Sequence, residues 1–119
     1  MQKISVALLL SFLLIGVAFS AKITQASYDS KKDELVLSVY YGGGCKEHTF
    51  TLDFSDVCLE TMPAQCSAKL IQKVDGIDPC EAIMSKELRF SLKNFSNRPA
   101  FLTVTNNNSK VKVFIPEKE

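Results

Sequence analysis

The sequence predicts an all-β protein: a two-layer antiparallel β-sandwich of immunoglobulin-like type, with about seven strands, one short helical turn and disulfide cross-links. Apolar and polar residues alternate with a period of two in several short segments, which is typical of strands with one buried face. Turn-forming residues separate these segments, and no strand–helix–strand alternation is present. The chain also has four cysteines, which suits a small cross-linked domain. A small β-barrel is the alternative fold.

The N-terminal segment predicts export. Residues 1–20 carry a positive charge at Lys3, an almost wholly apolar run over residues 4–17, and small residues before the end at Ser20. This is the pattern of a signal peptide cleaved after Ser20. The apolar run is short for a membrane-spanning helix, which needs about 20 residues. An uncleaved anchor helix is the alternative.

The mature chain, residues 21–119, has enough residues for one domain with one core. Without Lys3 it has 13 basic and 13 acidic residues, and neither sign clusters. Nucleic acids and anionic membranes favour basic patches. We therefore expect neither nucleic-acid binding nor stable membrane insertion after cleavage, and we expect a protein that is periplasmic or secreted.

Seven strands follow from the alternation. The second and third alternate most clearly, and their inward positions include the one histidine of the chain. The predicted strands cover residues 22–28, 34–41, 48–54, 65–74, 86–95, 100–105 and 110–115. The predicted inward residues of the second and third strands are Leu35, Leu37, Val39, Tyr41, His48, Phe50, Leu52 and Phe54.

Three glycines, Gly42, Gly43 and Gly44, separate the second and third strands. Glycine permits a positive φ, so we predict a hairpin bend that brings Cys45 to a partner. A glycine-rich phosphate loop is the functional alternative, but such a loop precedes a helix, and here a strand pattern follows.

The segment before the fifth strand predicts a turn and a short helix. Asp75 and Gly76 provide turn chemistry. Asp78 suits a helix N-cap and Pro79 the first helical position, so one or two helical turns are expected over residues 79–85.

The four cysteines are expected to form two disulfides. We prefer Cys58–Cys66 with Cys45–Cys80, because the segment between Cys58 and Cys66 is short and Pro63 bends it. Loop entropy gives about 2.5 and about 3.8 kcal/mol for these two bridges, and about 2.9 kcal/mol each for side-by-side bridges. The totals nearly tie, so the other connectivities stay open.

Cys45 and His48 also have the spacing of metal ligands, and Asp78 with Cys80 would complete a set of four. Metal binding by these four residues is the alternative function for an exported protein. Zinc sites usually show a second close pair of ligands, and none is present. A thiol nucleophile at Cys45 with His48 as its base is less favoured, because the two side chains would point to opposite faces of an extended segment. We therefore expect no enzyme and no cofactor.

The remaining hypothesis is a non-enzymatic binding protein that recognises another protein or a component of the cell envelope. Loops on a rigid cross-linked frame are the usual places for such contacts. The candidate binding residues are Gly42, Gly43, Gly44, Met62, Pro63, Asp75 and Gly76.

The core from Tyr41 to Leu52, with its G-G-G-C-x-x-H-x-F pattern, and the later D-x-C-E-A element from Asp78 to Ala82 resemble a group of small exported bacterial proteins of unknown function. The resemblance covers about half of the mature chain. It implies that Cys45 and Cys80 pair with each other and favours the nested disulfides and a bacterial source. It implies no activity.

Overall fold

The computed structural model of the protein describes residues 21–118, and this part contains seven strands and no helix. The predicted signal peptide, residues 1–20, lies outside the described residues. Among the residues described, no helix has the length and apolar character needed to cross a membrane. The strands are β1 (Lys22–Asp29), β2 (Glu34–Gly43), β3 (His48–Phe54), β4 (Ala64–Val74), β5 (Ala82–Ser91), β6 (Ala100–Thr105) and β7 (Lys110–Ile115).

The strands form two sheets, with the orders β1-β2-β5 and β3-β4-β6-β7. Neighbouring strands are antiparallel, except that β4 and β6 run parallel. In a constant-type immunoglobulin domain the fourth strand belongs to the first sheet. Here β4 lies in the second sheet, between β3 and β6. The all-β prediction is confirmed, and an immunoglobulin-like topology is not.

One core lies between the sheets, because period-two alternation turns one side of most strands inward, whereas the first six residues of β5 are exposed. The four predicted inward residues of β2 are buried, and Leu35 and Leu37 have no exposed surface. Strand β1 lies against β7 and closes one side. The principal buried residues of the strands are Ile23, Leu35, Leu37, Val39, Tyr41, Cys66, Ala68, Leu70, Leu88, Ala100, Leu102, Val104, Val113 and Ile115.

The connection between β2 and β3 differs from the prediction. The predicted hairpin is wrong, because the two strands belong to different sheets. Strand β2 continues to Gly43, and its last residues pair with the start of β5. The chain then turns over residues 44–47, where Gly44 has a φ of 113°. The glycine run therefore ends one strand and begins a crossing between sheets.

The predicted helical turn over residues 79–85 is also wrong, because β5 begins at Ala82 and pairs with the end of β2. The Asp78 carboxylate accepts the backbone N–H of Cys80 at 3.0 Å, as a helix cap would. The same carboxylate also binds the β2–β3 connection, so both loops are held together and the chain leaves Cys80 as a strand.

A partly buried ion pair holds the turn between β1 and β2 against the segment that precedes β6. The Arg98 guanidinium donates to both carboxylate oxygens of Asp33, at 2.8 and 3.1 Å. It also donates to the backbone oxygens of Leu92 and Phe95. The hydrogen bonds from Arg98 to the Asp33 carboxylate hold the pKa of that carboxyl below its usual range. The segment after β5 therefore has a fixed position.

Candidate functional site

The first candidate region lies where the Cys45–Cys80 disulfide joins two loops. Cys45 follows β2 and Cys80 precedes β5, and their Cα atoms are 5.6 Å apart. We call residues 43–48 and 75–81 the clamp. The other bridge is Cys58–Cys66, so the pairing is the nested one. Two disulfides indicate an oxidising environment, as in exported proteins.

The Asp78 carboxylate is the centre of the clamp. Its side chain is only 6 % exposed, and the Nε2 atom of His48 lies 2.8 Å from one of its oxygens. Its oxygens also accept the backbone N–H groups of Cys45, Lys46 and Cys80 at 3.3, 3.1 and 3.0 Å. The hydrogen bond to His48, followed by these backbone bonds, lowers the pKa of the Asp78 carboxyl strongly.

The His48 ring is buried and bonded on both sides. Gln72 accepts the Ala21 N–H through its side-chain oxygen, so its amide nitrogen faces His48 Nδ1, 2.9 Å away. Nδ1 is therefore the acceptor, and the hydrogen on Nε2 is donated to Asp78. The Tyr41 ring lies 4.6 Å from the imidazole, centroid to centroid. The predicted inward position of His48 is confirmed, since the residue is 4 % exposed.

Because Gly43 has no side chain, the His48 and Asp78 side chains can pack directly against the backbone of β2. A Cβ atom at this position would lie 2.5 Å from Asp78 Oδ2 and 2.7 Å from His48 Nε2. The φ of Gly43 is 154°, which side chains disfavour. The glycine is needed for close packing against the His48–Asp78 pair.

The clamp brings together all four residues of the metal-binding alternative, and Cys45, Asp78 and Cys80 are close enough for one ion. The two cysteine sulfurs, however, are bonded to each other, and zinc takes cysteine as the thiolate. The His48 nitrogens and both Asp78 oxygens are already engaged by protein groups. The structure does not support the metal-binding alternative, and the arrangement acts as a cross-link between loops.

We expect replacement of the Asp78 carboxylate to change how the free energy of unfolding depends on pH in the acid range. The pKa of Asp78 is lower in the folded protein than in the unfolded chain, where a carboxyl of this type titrates near 3.8. Its stabilising contribution is complete above about pH 5 and is lost as the pH falls. We expect Asp78→Asn to lower stability at neutral pH and to flatten the loss between about pH 5 and pH 2. Urea unfolding at several pH values measures both.

The control for this experiment is Asp53→Asn, since Asp53 is exposed on β3. This variant should keep the stability and the acid dependence of the unchanged protein. An acid dependence of Asp78→Asn that matches the unchanged protein contradicts the assigned role of Asp78.

The second candidate region lies at the other end of β4. Met62 and Pro63 belong to a loop that the Cys58–Cys66 bridge closes. Within it, Leu59 and Gln65 exchange backbone hydrogen bonds at 2.9 and 3.0 Å. We call residues 57–63 the apolar loop. Its large side chains point to solvent, with exposed fractions of 74 % for Val57, 63 % for Leu59 and 85 % for Met62.

The predicted loop residues therefore fall into two groups. Gly43, Gly44, Asp75 and Gly76 lie at the clamp, where the Lys46 ammonium donates to the Asp75 carbonyl oxygen at 2.6 Å. Met62 and Pro63 lie at the opposite end of β4, and Gly42 lies within β2.

Sequence analysis missed Gln72 and the exposure of Val57 and Leu59. Gln72 occupies the inward series of β4 after Leu70, and a polar residue there signals a buried hydrogen-bond partner. Val57 and Leu59 belong to no alternating segment, and the sequence indicated no inward face for them.

Comparison of the chain with protein-family models, with curated proteins and with solved structures finds no significant match.

Proposed function

We propose that the protein is an exported, non-enzymatic binding protein that recognises its partner through the apolar loop. The observation that carries this proposal is the exposure of three large apolar side chains: Leu59 and Met62 on the loop that the Cys58–Cys66 bridge closes, and Val57 directly before it. Clustered exposed apolar residues mark interaction surfaces, whereas single ones do not. In immunoglobulin variable domains, loops at one end of two packed sheets likewise form the binding surface.

The apolar loop is organised before a partner arrives. The Cys58–Cys66 bridge ties the loop to β4, and Thr61 donates to the Pro63 carbonyl oxygen at 2.8 Å. A loop that is already ordered loses less conformational entropy on binding. The bridge therefore supports affinity as well as stability.

The charge of this region indicates the chemistry of the partner. Asp56 and Glu60 flank the apolar side chains, and residues 55–63 contain no basic residue. Complementary charges fix orientation and increase the association rate. The proposed partner is an exported or envelope protein that presents an apolar cleft with a basic rim, encountered in the periplasm or outside the cell.

Site-specific photocrosslinking in the cells that export the protein tests this proposal. A photoreactive phenylalanine analogue placed at Met62 should form a discrete adduct, and Leu59→Ser should remove it. Glu60→Lys should weaken the adduct because it places a like charge against the basic rim. The matched control is the same analogue at Ile77, which is 86 % exposed but is the one large aliphatic side chain in residues 75–81.

The proposal predicts an adduct from position 62 and none of the same mass from position 77. No adduct from position 62, equal adducts from both positions, or an adduct insensitive to Leu59→Ser and Glu60→Lys would overturn it. The far-UV spectrum and the unfolding midpoint of each variant should match the unchanged protein, because the altered side chains are exposed.

A further inference from the structure

A pocket of about 330 Å³ lies beside the Cys58–Cys66 bridge, between the β3–β4 side of the molecule and the segment after β5. Cys58 is the one residue of the apolar loop that lines it, and the exposed side chains of Val57, Leu59 and Met62 do not, so the pocket is distinct from the proposed partner surface. The residues that line it are Phe54, Ser55, Cys58, Cys66, Ser67, Ser91, Asn94, Phe95, Ser96 and Asn97.

The polar lining of this pocket is uncharged. It consists of serine hydroxyls and asparagine amides, and no acidic or basic side chain belongs to it. A charged ligand would lose water without gaining a partner of opposite charge, which is costly. The lining therefore favours a neutral ligand.

Several of these polar groups are free to bind. Within residues 21–118, the side chains of Ser67, Asn94, Ser96 and Asn97 make no hydrogen bond to protein groups, unlike Ser55, which bonds to Val57. Each hydroxyl donates and accepts, and each amide offers a carbonyl oxygen next to an NH₂ group. That combination of donors and acceptors matches a ligand with adjacent hydroxyl groups, since each hydroxyl also donates and accepts hydrogen bonds.

The pocket also contains two aromatic rings. Phe54 and Phe95 lie with their centroids 5.7 Å apart, and both rings are partly exposed. A pyranose ring presents C–H groups on its faces and hydroxyls around its rim, so an aromatic surface beside neutral polar groups matches it. Arg98 fixes the Phe95 segment, since its guanidinium donates to the Phe95 carbonyl oxygen at 2.8 Å.

From these features we propose that the pocket between the Cys58–Cys66 bridge and residues 91–97 binds a neutral saccharide. The aromatic surface of Phe54 and Phe95 packs against a sugar face, and Asn94 and Asn97 bind hydroxyls at its rim. The volume is at the lower end of the range for small-ligand pockets, about 300–1,000 Å³, and this suits one sugar ring. This function is independent of the proposed partner.

The test is an NMR titration of the mature protein with methyl β-D-glucopyranoside, methyl β-D-galactopyranoside and N-acetylglucosamine. At least one should give saturable amide shifts confined to residues 54–55, 66–67 and 91–97, with a Kd of about 1 mM. Asn94→Ala and Asn97→Ala should each weaken binding about tenfold through a lost hydrogen bond. Glucuronate should bind at least about tenfold more weakly than glucoside because the pocket offers its carboxylate no charge.

Asn107→Ala is the matched control, because Asn107 is an exposed asparagine in the loop between β6 and β7. It should leave the affinity unchanged. The proposal is overturned if none of the three sugars gives saturable shifts below about 50 mM. It is equally overturned if binding survives both pocket substitutions, or if glucuronate binds as tightly as the glucoside. Leu59→Ser should not alter the sugar affinity, which separates this site from the apolar loop.

Discussion

Removal of the Cys45–Cys80 bridge by the double change Cys45→Ala and Cys80→Ala is expected to lower the free energy of unfolding by about 4 kcal/mol. The bridge closes a loop with a sequence separation of 35, and closure of a loop of that length removes this much entropy from the unfolded chain in the loop model. The two loops would also lose their fixed spacing at Asp78. Equilibrium urea unfolding at neutral pH, without reductant, measures the loss.

The double change Cys58→Ala and Cys66→Ala is the comparison. The Cys58–Cys66 bridge has a sequence separation of 8, and the same loop model gives a loss of about 2.5 kcal/mol of unfolding free energy. We expect the His48 ring resonances to shift in the first variant and to stay in place in the second. Equal stability losses, or an undisturbed His48 in the first variant, would contradict the assignment of the clamp as the main cross-link between the two loops.

Gly43→Ala is expected to cost about 3 kcal/mol of unfolding free energy. The new Cβ would lie 2.5 Å from Asp78 Oδ2 and 2.7 Å from His48 Nε2, both of which are buried. The backbone at Gly43 has a φ of 154°, and residues held in such regions carry strain of about 1–3 kcal/mol. The contact and the strain act together, since the pair must move apart to admit the methyl group.

Gly42→Ala provides the control for this prediction. Gly42 precedes Gly43 in β2, pairs with Ile83, and is not among the glycines with positive φ. A methyl group here should change stability by less than about 1 kcal/mol. Thermal and urea unfolding of the two variants should therefore differ clearly. Similar midpoints for the two variants would show that the close packing against His48 and Asp78 does not constrain this site.

Much of the fold follows from local alternation. The bounds of β3, β6 and β7 agree with the predicted strands, and the inward residues of β2 are buried. Alternation states which side of a strand faces inward, but it does not state which strand is its neighbour. The parallel pairing of β4 with β6 and the separation of β2 from β3 depend on contacts that are distant in sequence, so these features were not predicted.

The clamp shows why local patterns failed at residues 79–85. Asp78 and Pro79 have the chemistry of a helix start, and the Asp78 contact with the Cys80 N–H is present. The decisive contacts come from Cys45, Lys46 and His48, about thirty positions earlier in the chain. Tertiary contacts of this kind override a local preference.

The spacing of Cys45 and His48 is compatible with a set of metal ligands or with a cysteine nucleophile and its histidine base. The structure brings both residues to Asp78, yet it uses the cysteine in a bridge and the imidazole in a buried hydrogen-bond chain that runs through Gln72 to Ala21. We therefore propose that stability and recognition lie at different ends of β4: the clamp joins two loops, and the apolar loop with its neighbouring pocket binds ligands.

The intact mass of the natively exported protein, before and after denaturing alkylation without reductant, together with its bound metal, decides whether the clamp is a structural cross-link. We expect a chain that starts at Ala21, a mass lower than that of the reduced chain by the four hydrogens of two disulfides, no alkylation and no metal. Alkylation at Cys45 and Cys80, or stoichiometric metal, would contradict it and make the clamp a site of chemistry.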